Sequence, residues 1–137
     1  MGGVKINLLQ SGKVYVSYDN NNPTQWTTVY TAQNDGEIIR IATRYSGSGW
    51  GLIASLDNSD LNKVTLIDMG GSTGSYADCY AQILKPESDD AKKLLSYHAD
   101  NQGGNLIFLL SKGDTVYLRS KYSNYNFYHD YVVYGLE

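Results

Sequence analysis

Side chains able to carry out chemistry are scarce in this chain. It has two histidines, His98 and His129, one cysteine, Cys79, and carboxylates in loop-like stretches at Asp57, Asp60, Asp78, Asp89, Asp90, Asp100 and Asp114. Neither histidine belongs to an HExxH or His-x-His pattern, so no zinc site has a local signature. No GxSxG elbow is present to expose a nucleophilic serine. The run DNSDLN (57–62) approaches a calcium loop, but Leu61 stands where an oxygen ligand belongs and the loop glycine is missing. GGSTGS (70–75) is glycine-rich, yet no Lys-Ser or Lys-Thr follows to complete a phosphate cradle. Two carboxylates distant in sequence can still meet as a glycosidase pair, which leaves a hydrolase as the minor reading. The residues otherwise point to a protein with no catalytic set, no metal and no cofactor. On this reading the histidines are surface or edge-strand residues, and Cys79 is a buried, inert thiol.

Binding chemistry is better supplied. There are 13 tyrosines and 14 glycines against two prolines and two phenylalanines. A tyrosine or tryptophan ring can cover the C–H face of a sugar while Asn, Asp or Arg answers its hydroxyls. Loops on a rigid scaffold are the usual place for that combination. Trp50 follows the loop SGSG (46–49), and Tyr45, Tyr76, Tyr122 and Tyr125 fall in loops or at strand ends. With Asp78, Asn126 and Tyr128 these form the expected ligand-binding set. Trp26, after the Asn/Pro loop, reads as a core residue or one of a cross-strand pair. Near the C-terminus tyrosine recurs at every third position, from Tyr122 to Tyr134, a spacing that fits neither a strand nor an α-helix. The period breaks into a Ser/Asn turn holding Tyr122 and Tyr125, followed by a closing strand. In that strand Phe127, His129, Tyr131 and Val133 face one way, and Tyr128, Asp130, Val132 and Tyr134 the other.

The elements that must position these residues are almost all strands. VKINLL (4–9) and KVYVSY (13–18) flank Ser11-Gly12 at hairpin distance, and WTTVYTA (26–32) follows a loop. Asn34-Asp35-Gly36 is the strongest turn signal. It launches EIIRIATRY (37–45), with Ile39, Ile41 and Thr43 on one face. WGLIASL (50–56), KVTLIDM (63–69), YADCYAQIL (76–84), NLIFLL (105–110) and TVYLRSK (115–121) read as further strands between polar turns. PESDDAKKLLSYH (86–98) is the one place for a short helix, because Pro86 suits a first turn and acids precede bases. A strand over 91–97 competes with it. Strands recurring every 8 to 12 residues or so indicate an all-β, antiparallel β-sandwich of jelly-roll type with at most one short helix.

Length and charge bound the rest. At 137 residues and 15.2 kDa the chain is a single domain, 1–137, long enough for a core without disulfides. Met1–Gly3 and Leu136–Glu137 read as ends left by cloning, which would make this a domain of a longer protein. A net charge of −3 and a pI near 5.2, with no basic run, argue against a nucleic-acid partner. The longest apolar run, Leu106 to Leu110, is too short to cross a bilayer.

Two segments carry a resemblance. YTAQNDGEIIRIA (30–42) resembles the early strand–turn–strand of complement-type and tumour-necrosis-factor-like jelly rolls and of bacteriophage fibre tips. LLSKGDTVYLR (109–119) is similar to their later Lys-Gly-Asp turn. The order of the two, and an aromatic closing strand, match as well, whereas the first turn lacks the family's proline and 86–104 is longer. The resemblance implies a homotrimer with apolar strands around a threefold axis. It also implies a site for cell-surface saccharide, and a place outside the cell or on a virion surface. A carbohydrate-binding module of a larger secreted enzyme, or an adhesive module for protein, are the rival expectations.

Overall fold

The computed structural model describes residues 5–22, 25–44, 50–57, 66–71, 76–123 and 125–136. Ten strands follow in order: β1 (Ile6–Val16), β2 (Thr27–Thr31), β3 (Glu37–Arg44), β4 (Trp50–Ser55), β5 (Ile67–Gly71), β6 (Tyr80–Ile83), β7 (Leu94–Asp100), β8 (Gly103–Leu110), β9 (Thr115–Ser120) and β10 (Phe127–Leu136). They form two five-stranded sheets, β1-β10-β3-β8-β7 and β2-β9-β4-β5-β6, in which every pairing is antiparallel. The pairing is nested: β1 with β10, β2 with β9, β3 with β8, and β4 with β5. A long ribbon folded over on itself gives that order, which is the jelly-roll arrangement. β6 and β7 extend it by one edge strand in each sheet. No α-helix occurs among the described residues.

Alternation along the strands decides what is buried. On β3, Ile39, Ile41 and Thr43 turn inward, as their spacing requires. On β10, His129, Tyr131 and Val133 do the same, opposite Tyr128 and Asp130 on the exposed face. These inner faces meet Leu52, Ile67, Met69, Leu106, Phe108 and Leu118, all fully buried. Each such side chain contributes about 1.5–3 kcal/mol of burial.

Three expectations change. Ser11-Gly12 is not a turn but the middle of the single strand β1, which pairs along β10 with one register shift between Leu8 and Gln10. A Cβ on Gly12 would stand 3.1 Å from the Tyr131 hydroxyl, so the glycine makes room for that ring, and Gln10 Nε2 donates to the same hydroxyl at 2.7 Å. Of the two readings of 86–98 the strand prevails, as β7 from Leu94, and the helix is reduced to a 3-10 turn, Ala91–Lys93. There the open edge of β8 offers backbone partners that a short helix could not match. Tyr76–Asp78 likewise forms a 3-10 turn rather than the start of a strand. Leu136 ends β10 opposite Ile6. DNSDLN beyond Asp57, SGSG and residues 72–75 of the glycine-rich loop lie outside the described residues.

His129 is the unexpected core member. It is fully buried and packs 5.9 Å from the Tyr125 ring. Burial, aided by the Arg44 charge, lowers its pKa to about 4. The unfolded chain therefore binds a proton that the native chain refuses, and stability drops as pH falls from the ordinary histidine value toward 4. Between about pH 7 and about pH 5 the loss should be about 2 kcal/mol, and His129→Leu should abolish most of that dependence. Urea unfolding of both proteins at the two pH values measures it.

Candidate functional site

Among the described residues, the sequence-predicted binding residues lie in several different places. Trp50 begins β4 in step with Leu52 and Ala54, which face the core, and is 1% exposed. Tyr125 is 0% exposed, with its ring 6.4 Å from Trp50 and 5.0 Å from Phe127, and its hydroxyl donates to the Arg44 carbonyl. Both are core residues and offer nothing to a ligand. Asn126 is spent on structure, accepting from the Tyr18 amide at 2.7 Å and donating to the Ser123 carbonyl at 2.8 Å. Tyr128 is exposed, but it lies on the outer face of the β1–β10 sheet against Tyr15, ring centroids 4.8 Å apart. Asp78 is exposed in its 3-10 turn. Tyr45, and the side chain of Tyr76, lie outside the described residues. Cys79 is half-buried and free of disulfide rather than fully buried.

Tyr122 remains, and the structure surrounds it with residues that sequence reasoning missed. It stands on the outer face of the second sheet. The strand β9 ends at Ser120, whose buried hydroxyl lies 3.0 Å from the Tyr122 carbonyl and 2.6 Å from that of Tyr125. The Lys121 amide donates to the Gly51 carbonyl at 3.0 Å. This clamp turns Tyr125 inward and leaves Tyr122 outside. Gly51 of β4 and Gly70 of β5 are direct partners across the sheet. A Cβ on Gly51 would come within 2.5 Å of the Tyr122 ring, and one on Gly70 within 3.0 Å of the Tyr80 hydroxyl. The two glycines thus make a floor on which two tyrosine rings rest.

Lys121 sits between those rings. Its Nζ is 5.4 Å from the Tyr80 centroid and 5.5 Å from that of Tyr122, within cation–π range. It donates to Asp68 Oδ1 at 2.8 Å and to the Tyr80 hydroxyl at 2.7 Å. Burial alone would lower the lysine pKa, but these hydrogen bonds and the Asp68 charge hold it above the ordinary value. The amine is therefore charged and fixed, with the third of its three donors left for a ligand. Tyr80 is 37% and Tyr122 48% exposed. Farther along the same face Trp26 packs 6.4 Å from Tyr117. Arg119, two residues before Lys121 on β9, shares the face. The result is a shallow strip of rings, cations and one carboxylate. It is suited to stacking and hydrogen bonding, with no nucleophile–base pair in it.

Elsewhere among the described residues no group of three His, Cys, Asp or Glu side chains could hold a metal, and no helix is long and apolar enough to cross a membrane. Comparison with known proteins finds no match to a family model, to a curated protein or to a solved structure.

The strip carries a stability signature. Lys121 and Asp68 are each about three-quarters buried, so removing one leaves the other partly desolvated and unpaired. Lys121→Met should cost about 1–2 kcal/mol, and adding Asp68→Asn should return part of that loss. A double-mutant cycle of urea midpoints reads the coupling.

Proposed function

We propose that this domain binds cell-surface carbohydrate without catalysing a reaction, as the receptor-binding tip of a phage or phage-like fibre, outside the cell or on a virion surface. The observation that carries the reading is the Tyr80–Lys121–Tyr122 strip. Two half-exposed rings flank a pre-positioned ammonium and carboxylate on a glycine floor. Rings of this kind cover sugar C–H faces, while the lysine donor, Asp68 and the tyrosine hydroxyls answer the hydroxyl rim. Ordering cost is low because Lys121 is already held.

The trimer has support of its own on the opposite sheet. Leu8, Tyr134, Ile38 and Leu109 are successive partners across β1, β10, β3 and β8. Ile38 and Leu109 each lie between buried residues, Tyr134 follows the buried Val133, and Leu8 stands opposite Tyr134, so the four form one apolar row on the outer face. Leu8 is 63% and Leu109 38% exposed, and Ile6 and Leu136 prolong the patch. Contiguous apolar surface of this sort marks an interaction site, and a second and third copy of the chain fit the fibre reading. A monomeric carbohydrate-binding module of a secreted enzyme would use the same strip and needs no such row. A protein-adhesive module would use the rings without sugar selectivity.

On a broad glycan array that includes bacterial wall polysaccharides, the protein should bind a subset of glycans. Tyr122→Ala and Tyr80→Ala should each weaken that binding roughly tenfold or more, while Trp50→Phe changes stability and leaves affinity alone. Silence across the array would favour the adhesive module. Light scattering after size exclusion should give a trimer mass, reduced to monomer by Leu8→Glu with Leu109→Glu. A monomeric parent protein would favour the enzyme module.

A further inference from the structure

A second concavity lies on the polar end of the β1–β10 sheet, away from the Tyr122 strip. β8 begins at Gly103, which lies between Arg44 of β3 and Asp100 of β7 and supplies no side chain. The gap opens a cavity of about 270 Å³ lined by Ala42, His98, Asp100, Gln102, Gly103 and Asn105 among others. That is below the usual range for drug-sized ligands, so the occupant is small.

Its polar groups are held in place before any ligand arrives. Asp100 Oδ1 accepts from the Gln102 amide at 2.8 Å, and its Oδ2 is 3.0 Å from His98 Nε2. The Gln102 amide first, and His98 after it, hold the Asp100 carboxyl below the ordinary aspartate range, so it is an acceptor at neutral pH. Asn105 Oδ1 accepts from Arg40 Nε at 3.2 Å and Nη2 at 3.1 Å. The amide is thereby oriented, and its NH₂ group is left to donate.

We infer that this cavity is a binding site for a single pyranose ring presenting adjacent hydroxyls. A sugar hydroxyl both donates and accepts, which is what an oriented Asp100–Asn105 pair can satisfy at once. Ala42 offers a methyl to ring C–H groups. The fixed carboxylate repels anions, and of the two guanidiniums on that face Arg40 is engaged with Asn105 and Arg44, opposite Gly103, stands 4.0 Å from Asp130. His98 and Asp100 are too few to hold a metal. Hydroxyl recognition is the chemistry that remains. The site is separate from the Tyr122 strip and does not depend on that strip binding sugar.

The test is NMR titration of the isotope-labelled protein with methyl glucoside, methyl galactoside and methyl mannoside, using tetrahydropyran as the ring without hydroxyls. Saturable shifts at the Gly103, Gly104 and Asn105 amides with at least one pyranoside, and none with tetrahydropyran, are expected. Asp100→Asn should weaken them about tenfold, and Lys121→Met should leave them unchanged. If Asp100→Asn does not fold, Asn105→Ala carries the same test by removing the donor. No saturable shift with any pyranoside overturns the site, as does equal response to tetrahydropyran. Binding that both variants leave intact also overturns it.

Discussion

The Glu37 carboxylate is the constraint on which the sandwich turns. It is 1% exposed, and among the described residues no cation pairs with it. Four hydrogen bonds hold it instead: from the Tyr30 hydroxyl at 2.5 Å, the Gln33 amide at 3.2 Å, and the Asn34 amide and side chain at 2.8 and 3.1 Å. Burial would raise its pKa, yet those donors together bring it below the ordinary glutamate value. Burial and the adjoining carboxylate push the Tyr30 hydroxyl up to about 12. A buried charge satisfied only by donors from one turn fixes that turn, because losing any donor leaves a desolvated oxygen. Gly36, at φ +83°, completes the reversal.

That turn then fixes a second one. The Gly36 amide donates to the Leu110 carbonyl, and the Lys112 amide to Asp35. Ala32 and the 113–114 pair exchange two backbone bonds of 2.8 and 2.9 Å. Asp114 is held in turn by Lys93 at 2.6 Å and by the Ser111 amide at 2.8 Å. Residues 30–37 and 110–115 therefore form one clasp at one end of the sandwich. The clasp sets the register of β3 against β8 and of β2 against β9, two of the four nested pairs. The segments around Asn34–Gly36 and Lys112–Asp114 are thus in contact, and the contact explains why both need short polar turns with glycine.

Strand positions were legible because alternation and turn chemistry agree over most of the chain. β3, β8, β9 and β10 appear within a residue or two of where their apolar periods place them. The errors fall where a local signal competes with a distant partner. Ser11-Gly12 has turn composition, but the ring it accommodates belongs to Tyr131, far along the chain. The acids and bases of 86–93 favour a helix start, but β8 supplies an edge that only a strand can use. Residue type favours a surface or edge-strand place for His129, whereas its alternation with Tyr131 and Val133 puts it inside.

The same parity separates the aromatic residues that can meet a ligand from those that cannot. Loop proximity favoured Trp50, but Trp50 keeps step with Leu52 and Ala54 and goes to the core. Its neighbour Gly51 takes the outer position instead. Tyr125 is drawn inward by the Ser120 clamp, which no periodicity announces. Lys121 and Tyr80 were legible in principle, since Lys121 shares parity with Tyr117 and Arg119 against the buried Leu118 and Ser120. What sequence could not provide is the register Gly51 to Gly70, which brings β6 and the end of β9 over one bare patch of sheet. A binding surface on a sandwich is therefore best sought where outward-facing glycines are paired across strands. There the rings of neighbouring strands can lie flat, and their hydroxyls and cations are drawn together over the gap.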